Sequence, residues 1–180
     1  MKHVTSLRFL LAGLVGLAAF GRAAAASPVQ SPKNVDVVFS HPEKFTDVKE
    51  SSMDYENERG GANVFPRLQE LIESQAAALL PAGHKLTVTF TDIDLAGDFE
   101  PWRGPQFDDI RIVKDIYIPR LTLSFTLTDA DGKVVKQGDR RLVDLAFQTR
   151  ITRAFPDDPL RYEKDMLTDW IRSEFRKARS

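Results

Sequence analysis

The stretch Leu121-Thr122-Leu123-Ser124-Phe125-Thr126-Leu127-Thr128 alternates large apolar side chains with small hydroxyl-bearing ones without interruption. Successive side chains of an extended chain point to opposite faces, so this is a strand with one face on a core and the other toward water. Asp129-Ala130-Asp131-Gly132 follows and reads as a hairpin turn, with glycine supplying the positive φ that such turns need. The turn leads into a further strand from about Lys133 to Leu145, expected to be irregular at Gly138. Upstream, Ile112, Ile116 and Ile118 fall on even numbers while the apolar residues after Pro119 fall on odd ones. A bulge or break at Pro119-Arg120 is therefore expected, turning Ile116 and Ile118 to the same buried face as Leu121 and Leu123.

Working outward from this strand, Leu86, Val88 and Phe90 alternate with Thr87, Thr89 and Thr91 in the same way. Earlier still, Val35, Val37 and Phe39 form a short first strand that His41-Pro42 ends. Ser40 to Ala62 is polar and reads as a long loop with room for one helical turn. Asn63 is placed to cap a helix with Pro66 in its first turn and Phe65, Leu68, Leu71, Ile72, Ala76 and Leu79 on one side, closed by Pro81-Ala82-Gly83. A second helix follows Phe155-Pro156-Asp157-Asp158-Pro159, with Leu160, Leu167, Trp170, Ile171 and Phe175 as its stripe and Met166 on the flank. Arg172, Arg176, Lys177 and Arg179 suit the negative end of its dipole. The order β-α-β-β-β-α predicts an α+β two-layer sandwich: about four mostly antiparallel strands with two helices on one face. The first helix serves as the crossover that lays the first strand beside another.

The first eight residues carry Lys2 and Arg8 and no acid, and Phe9 to Phe20 is free of charge. An apolar run of this length falls short of the about 20 residues that span a bilayer but matches the hydrophobic region of a secretory signal. Ala23-Ala24-Ala25-Ala26 places small residues at a peptidase site. The expected organisation is a cleavable signal peptide over 1–26, a Ser/Pro linker over 27–34 and one α+β domain over 35–178 in the periplasm, with no membrane span after cleavage. Cleavage removes Lys2, Arg8 and Arg22, so 25 basic residues fall to 22 against 26 acidic ones and the formal charge moves from −1 to −4. That surface argues against nucleic acid as a partner, which needs a basic footprint. With no cysteine at all, disulfides, thiolate metal sites and cysteine nucleophiles are excluded together.

Asp92-Ile93-Asp94-Leu95-Ala96-Gly97-Asp98 begins like a calcium loop, but Ala96 stands where the third ligand belongs and Arg103 where a bidentate Glu should close the site. His41 and His84 have no ligand spacing around them, so neither a metal nor another cofactor is expected. Ala96 to Asp109 holds Phe99, Trp102, Arg103 and Phe107 among the corners Pro101, Gly104 and Pro105. Long connections in compact domains are often binding loops, and Trp and Arg dominate binding hot spots. Two functions stay open: a noncatalytic binding or accessory protein using Phe99, Trp102, Arg103 and Phe107, with another envelope protein or a small ligand as partner, and a hydrolase or metal-dependent enzyme using Asp92, Asp94 and Asp98.

The segments Val35-Asp36-Val37-Val38-Phe39, Phe90 to Asp98, Pro101-Trp102-Arg103-Gly104 and Tyr117-Ile118-Pro119-Arg120-Leu121 together resemble family 3016 of the domains of unknown function, small exported bacterial proteins. The resemblance runs from about Val35 to Phe175, with Asp-Leu-Ala-Gly and Pro-Arg-Leu as its more distinctive parts. It implies export into a Gram-negative envelope and assigns no catalytic residue.

Overall fold

Alternation in the sequence becomes a four-stranded sheet in the computed structural model, which describes residues 34–48, 61–107, 110–149 and 155–176, with backbone alone at 61–63 and 107. The expected signal peptide, and the linker up to residue 33, lie outside the described residues, as does most of the loop after Val48. Strand β1 (Val35–Phe39) is followed by a single 3-10 turn at Pro42–Lys44, and helix α1 (Gly61–Ala77) then carries the chain to β2 (Lys85–Asp94). A two-stranded ribbon comes next, β3 (Asp98–Phe99) with β4 (Arg111–Ile112), and then β5 (Arg120–Thr128), β6 (Val134–Val143) and helix α2 (Arg161–Phe175). The main sheet runs β1-β2-β5-β6, parallel between β1 and β2 and antiparallel elsewhere. A parallel pair cannot be joined by a tight turn, and α1 is the crossover between them.

Val35, Leu86, Val88, Phe90, Leu121, Leu123, Phe125 and Leu127 are buried on one face of this sheet. Against them α1 presents Val64, Leu68, Ile72 and Ala76, and α2 presents Leu167, Trp170, Ile171 and Phe175. The expected sandwich is observed. Asp158, just before α2, ties the helices together: its carboxylate accepts from Arg67 of α1 at 2.6 Å, from Lys164 at 2.6 Å and from the Leu160 N–H at 2.8 Å. Burial raises the Asp158 pKa, but these three donors outweigh it and the net shift is downward.

Four local expectations need correction. Helix α1 starts at Gly61, two residues before Asn63, so Pro66 lies inside the helix and on its exposed side, where a lost backbone hydrogen bond is tolerated. The parity change sits in β2, where Phe90 opposes Leu123 and Asp92 opposes Thr122, leaving Thr91 as the extra residue of a bulge. The chain does break before β5, but Ile116 is 66% exposed because it occupies the tip of a turn closed by the Tyr117 N–H on the Lys114 carbonyl, and Ile118 is only half-buried. In β6 the register slips at Val135, while Gly138 pairs regularly with Phe125.

Candidate functional site

The Thr91 bulge decides where the acidic residues point. Before it, even-numbered residues face the core; after it, Ile93 takes the core position and Asp92 and Asp94 turn outward. Were Thr91 paired regularly in the ladder, two carboxylates would enter an apolar interior.

Beyond Asp94, the turn Leu95-Ala96-Gly97 has its backbone fixed from three directions. The Leu95 N–H donates to Asp47 Oδ2 at 3.1 Å, the Ala96 N–H to Glu163 Oε1 at 2.6 Å and the Gly97 N–H to the Tyr117 carbonyl at 3.2 Å. Arg111 donates to the Gly97 carbonyl and to Asp47 Oδ1, both at 2.8 Å. Gly97 has φ of +84°, and a Cβ there would lie 2.8 Å from the Ile112 carbonyl, so glycine is required on both counts. Glu163 lies on the core face of α2; its Oε2 has no hydrogen-bond partner and burial pushes its pKa up to about 7. Two nearby charges act in opposition, Arg111 lowering that pKa and Asp47 raising it.

The next residues form a platform. Glu100 is wholly buried, and its carboxylate accepts from Lys114, from Arg103 and from the Tyr117 hydroxyl at 2.8 Å. The Lys114 ammonium is the main reason its pKa falls to about 2, with Tyr117 and Arg103 adding to the effect against burial. Tyr117 titrates above its ordinary range because its hydroxyl donates to Glu100. From this anchor, Pro101–Arg103 makes a 3-10 turn that Gly104 closes at φ +114°, with its N–H on the Pro101 carbonyl at 3.3 Å. Trp102, at the centre of the turn, is 71% exposed.

Of the four residues nominated for binding, Trp102 and Arg103 stand at the surface, Arg103 tethered through Glu100. Phe99 folds back, half-buried, with the Arg111 guanidinium 4.6 Å over its ring. The Phe107 side chain lies outside the described residues. Ile110, Val113 and Ile116, on the same excursion between β2 and β5, are also exposed.

The three carboxylates of the acidic stretch diverge. Asp92 accepts the Thr46 N–H at 2.7 Å and its hydroxyl at 2.9 Å. Asp94 accepts from Arg120 at 2.9 Å, yet burial outweighs the guanidinium and raises its pKa. Asp98 is exposed and caps the Phe99 N–H at 2.7 Å. Asp94 and Asp98 do share a polar cleft of about 210 Å³ with Asp47, Tyr117 and Arg120; Asp92 does not line it. Neither histidine lines it either, and His84 stands before β2, about 30 Å from Asp94 along a ten-residue strand. No group of three metal-ligating side chains occurs among the described residues.

Asp47, Lys114, Tyr117 and Glu163, which do most to hold this region, were not legible as site residues. Glu163 alone carried a signal, since it interrupts the apolar stripe of α2 at core spacing between Leu160 and Leu167.

A family model with the description "Protein of unknown function (DUF3016)" matches residues 33–173. No curated protein and no solved structure matches the chain.

Proposed function

The chain belongs to the DUF3016 family, and from that premise we propose that it is an exported, noncatalytic binding protein of the bacterial envelope that meets its partner through Trp102. One observation carries this reading: the most exposed aromatic anchor of the described residues stands on a turn whose base is locked to the buried Glu100. A large side chain left in water forgoes about 3 kcal/mol of burial, a loss that contact with a partner recovers. A turn already held in place loses little further freedom on binding. Ile110, Val113 and Ile116, exposed on the same excursion, are further apolar side chains there, which suits another envelope protein or an apolar small ligand.

The experiment is a photocrosslinking amino acid at the exposed Gln106 on the same loop, which leaves Trp102 in place, with the exposed Gln148 as control position, in cells that export the chain. A discrete product from 106 that is missing from 148 supports the reading; equal or absent products defeat it. Export is checked separately by intact mass of the periplasmic protein, expected to begin at Ser27 or Ala26.

A hydrolase using Asp94 and Asp98, without Asp92, remains the second reading, favoured by the cleft they share with Tyr117 and Arg120 and by the raised pKa of Asp94. Its test is a hydrolase screen in which any activity found must disappear in Asp94→Asn.

A further inference from the structure

Among the described residues β6 pairs only with β5, so its other edge presents a row of backbone N–H and C=O groups to no strand. Such an edge recruits another strand unless it is blocked. On the helix side a groove of about 460 Å³ opens between β6 and α2, with Leu142, Met166 and Trp170 among its walls. The buried indole N–H of Trp170 has no acceptor there.

Charged side chains usually protect an edge, and β6 has several, but they fall into two sets. Lys136 and Arg140 face the helix side, opposite Leu127 and Leu123, and both are bound to Glu174 of α2 at 2.7 and 2.9 Å. Their charge is answered within the chain. Asp139 and Arg141 lie on the open face, exposed and without a side-chain partner among the described residues.

Antiparallel pairing of β6 with its own copy must centre on one residue, because residues directly opposite share a face. Centred on Asp139 or on Arg141, it sets two like charges against each other. Centred on Gly138, it sets Asp139 opposite Gln137 and brings Arg141 to Val135 at the register slip, so neither open-face charge meets its complement. Centred on Arg140, it sets Asp139 opposite Arg141 twice and Leu142 opposite Gly138 twice. The two Arg140 side chains then meet on the helix side, each already held by a Glu174.

We propose that β6 pairs antiparallel with β6 of a second copy of this chain, centred on Arg140, joining two four-stranded sheets into one of eight strands. The edge charges then select one register and reject its neighbours. This inference is independent of the Trp102 reading.

Sedimentation velocity on the purified chain across a concentration series tests it, with the mass of two chains expected. Asp139→Arg and Arg141→Asp each turn two attractive cross-strand pairs into repulsive ones, and each is expected to weaken association about tenfold or more. The double reversal D139R/R141D restores opposite charges in the same register and is expected to restore the dimer. Both side chains are exposed, and circular dichroism checks that each variant folds. The double variant still decides the question if a single one melts early. A one-chain mass at every concentration, a dimer indifferent to the single reversals, or a double reversal that stays monomeric overturns the proposal.

Discussion

Trp102 and Trp170 are the two tryptophans of the chain and lie at opposite limits of burial, 71% and 4% exposed. Trp170 packs edge-on to Phe125 and Phe175 at centroid distances of 5.8 and 5.7 Å, so Trp170→Ala is expected to cost about 3–5 kcal/mol. Trp102→Ala removes no core contact and is expected to change stability by no more than about 0.5 kcal/mol while abolishing the crosslink at that loop. Denaturant melts of the two variants measure the contrast, and a core-sized loss at Trp102 would remove the proposed anchor. Glu100 predicts a different signature. Glu100→Gln weakens the acceptor shared by Lys114, Arg103 and Tyr117, three donors reaching it from the whole span between β3 and β5. Hydrogen exchange of residues 99–107 is expected to accelerate in that variant while β2 and β5 keep their protection. Unchanged exchange would mean that the turn is not held by Glu100.

At the scale of elements, leaving a single residue unpaired decides which side chains of β2 face the core. Deleting Thr91 would leave Phe90 opposite Leu123, Asp92 opposite Thr122 and Ile93 opposite Leu121, so Ile93 stays inward and Asp92 outward while the bulge disappears. The deletion variant is therefore expected to keep a cooperative thermal transition by circular dichroism, and loss of that transition would show that the extra residue does more than set the register. The same bulge marks the limit of what the sequence reveals. Alternation from Leu121 to Thr128 identifies β5 and its inward face outright, because both faces have an unambiguous chemical character. In β2 the alternation stops at Thr91, and nothing local distinguishes a bulge there from the end of the strand. The Ile112-to-Ile118 parity misleads for a physical reason: Ile112 belongs to the β3–β4 ribbon and Ile116 to a turn tip, so no single sheet face is common to them. The exposed Trp102 was legible from its Pro and Gly neighbours. Its anchor was not, since Glu100, Lys114 and Tyr117 converge only once the excursion folds back on itself.

Across the whole molecule, the buried carboxylates divide into two opposing groups, and together they fix how stability depends on pH. Glu163 has a folded pKa of about 7 against 4.5 in the unfolded chain, because burial disfavours its charge and Oε2 finds no donor. Between those values the folded state binds more protons than the unfolded one, so stability must fall as pH rises. The contribution is complete below pH 4.5 and lost by about pH 7, a change on the order of 3 kcal/mol. Asp94, raised by burial despite Arg120, acts in the same direction. Glu100 is the opposite case: with its pKa lowered to about 2, chiefly by Lys114, its contribution is present above pH 4.5 and lost as pH falls toward 2. Glu174, paired with Arg140 and Lys136, and Asp158, paired with Lys164 and Arg67, are lowered as well and steepen that acid-side loss. The two slopes meet near the ordinary carboxylate pKa, so stability is expected to peak in mildly acidic solution, near pH 4.5 to 5, and to decline toward neutrality. Glu163→Gln keeps an oxygen for the Ala96 N–H and removes the titrating proton. It is therefore expected to melt higher than the parent chain at pH 8 and to flatten the decline between pH 5 and 7, leaving the acid side unchanged. Chemical denaturation at half-unit pH intervals reads both limbs, and a parent chain equally stable at pH 5 and pH 7.5 would show that Glu163 is ionised in the fold without penalty.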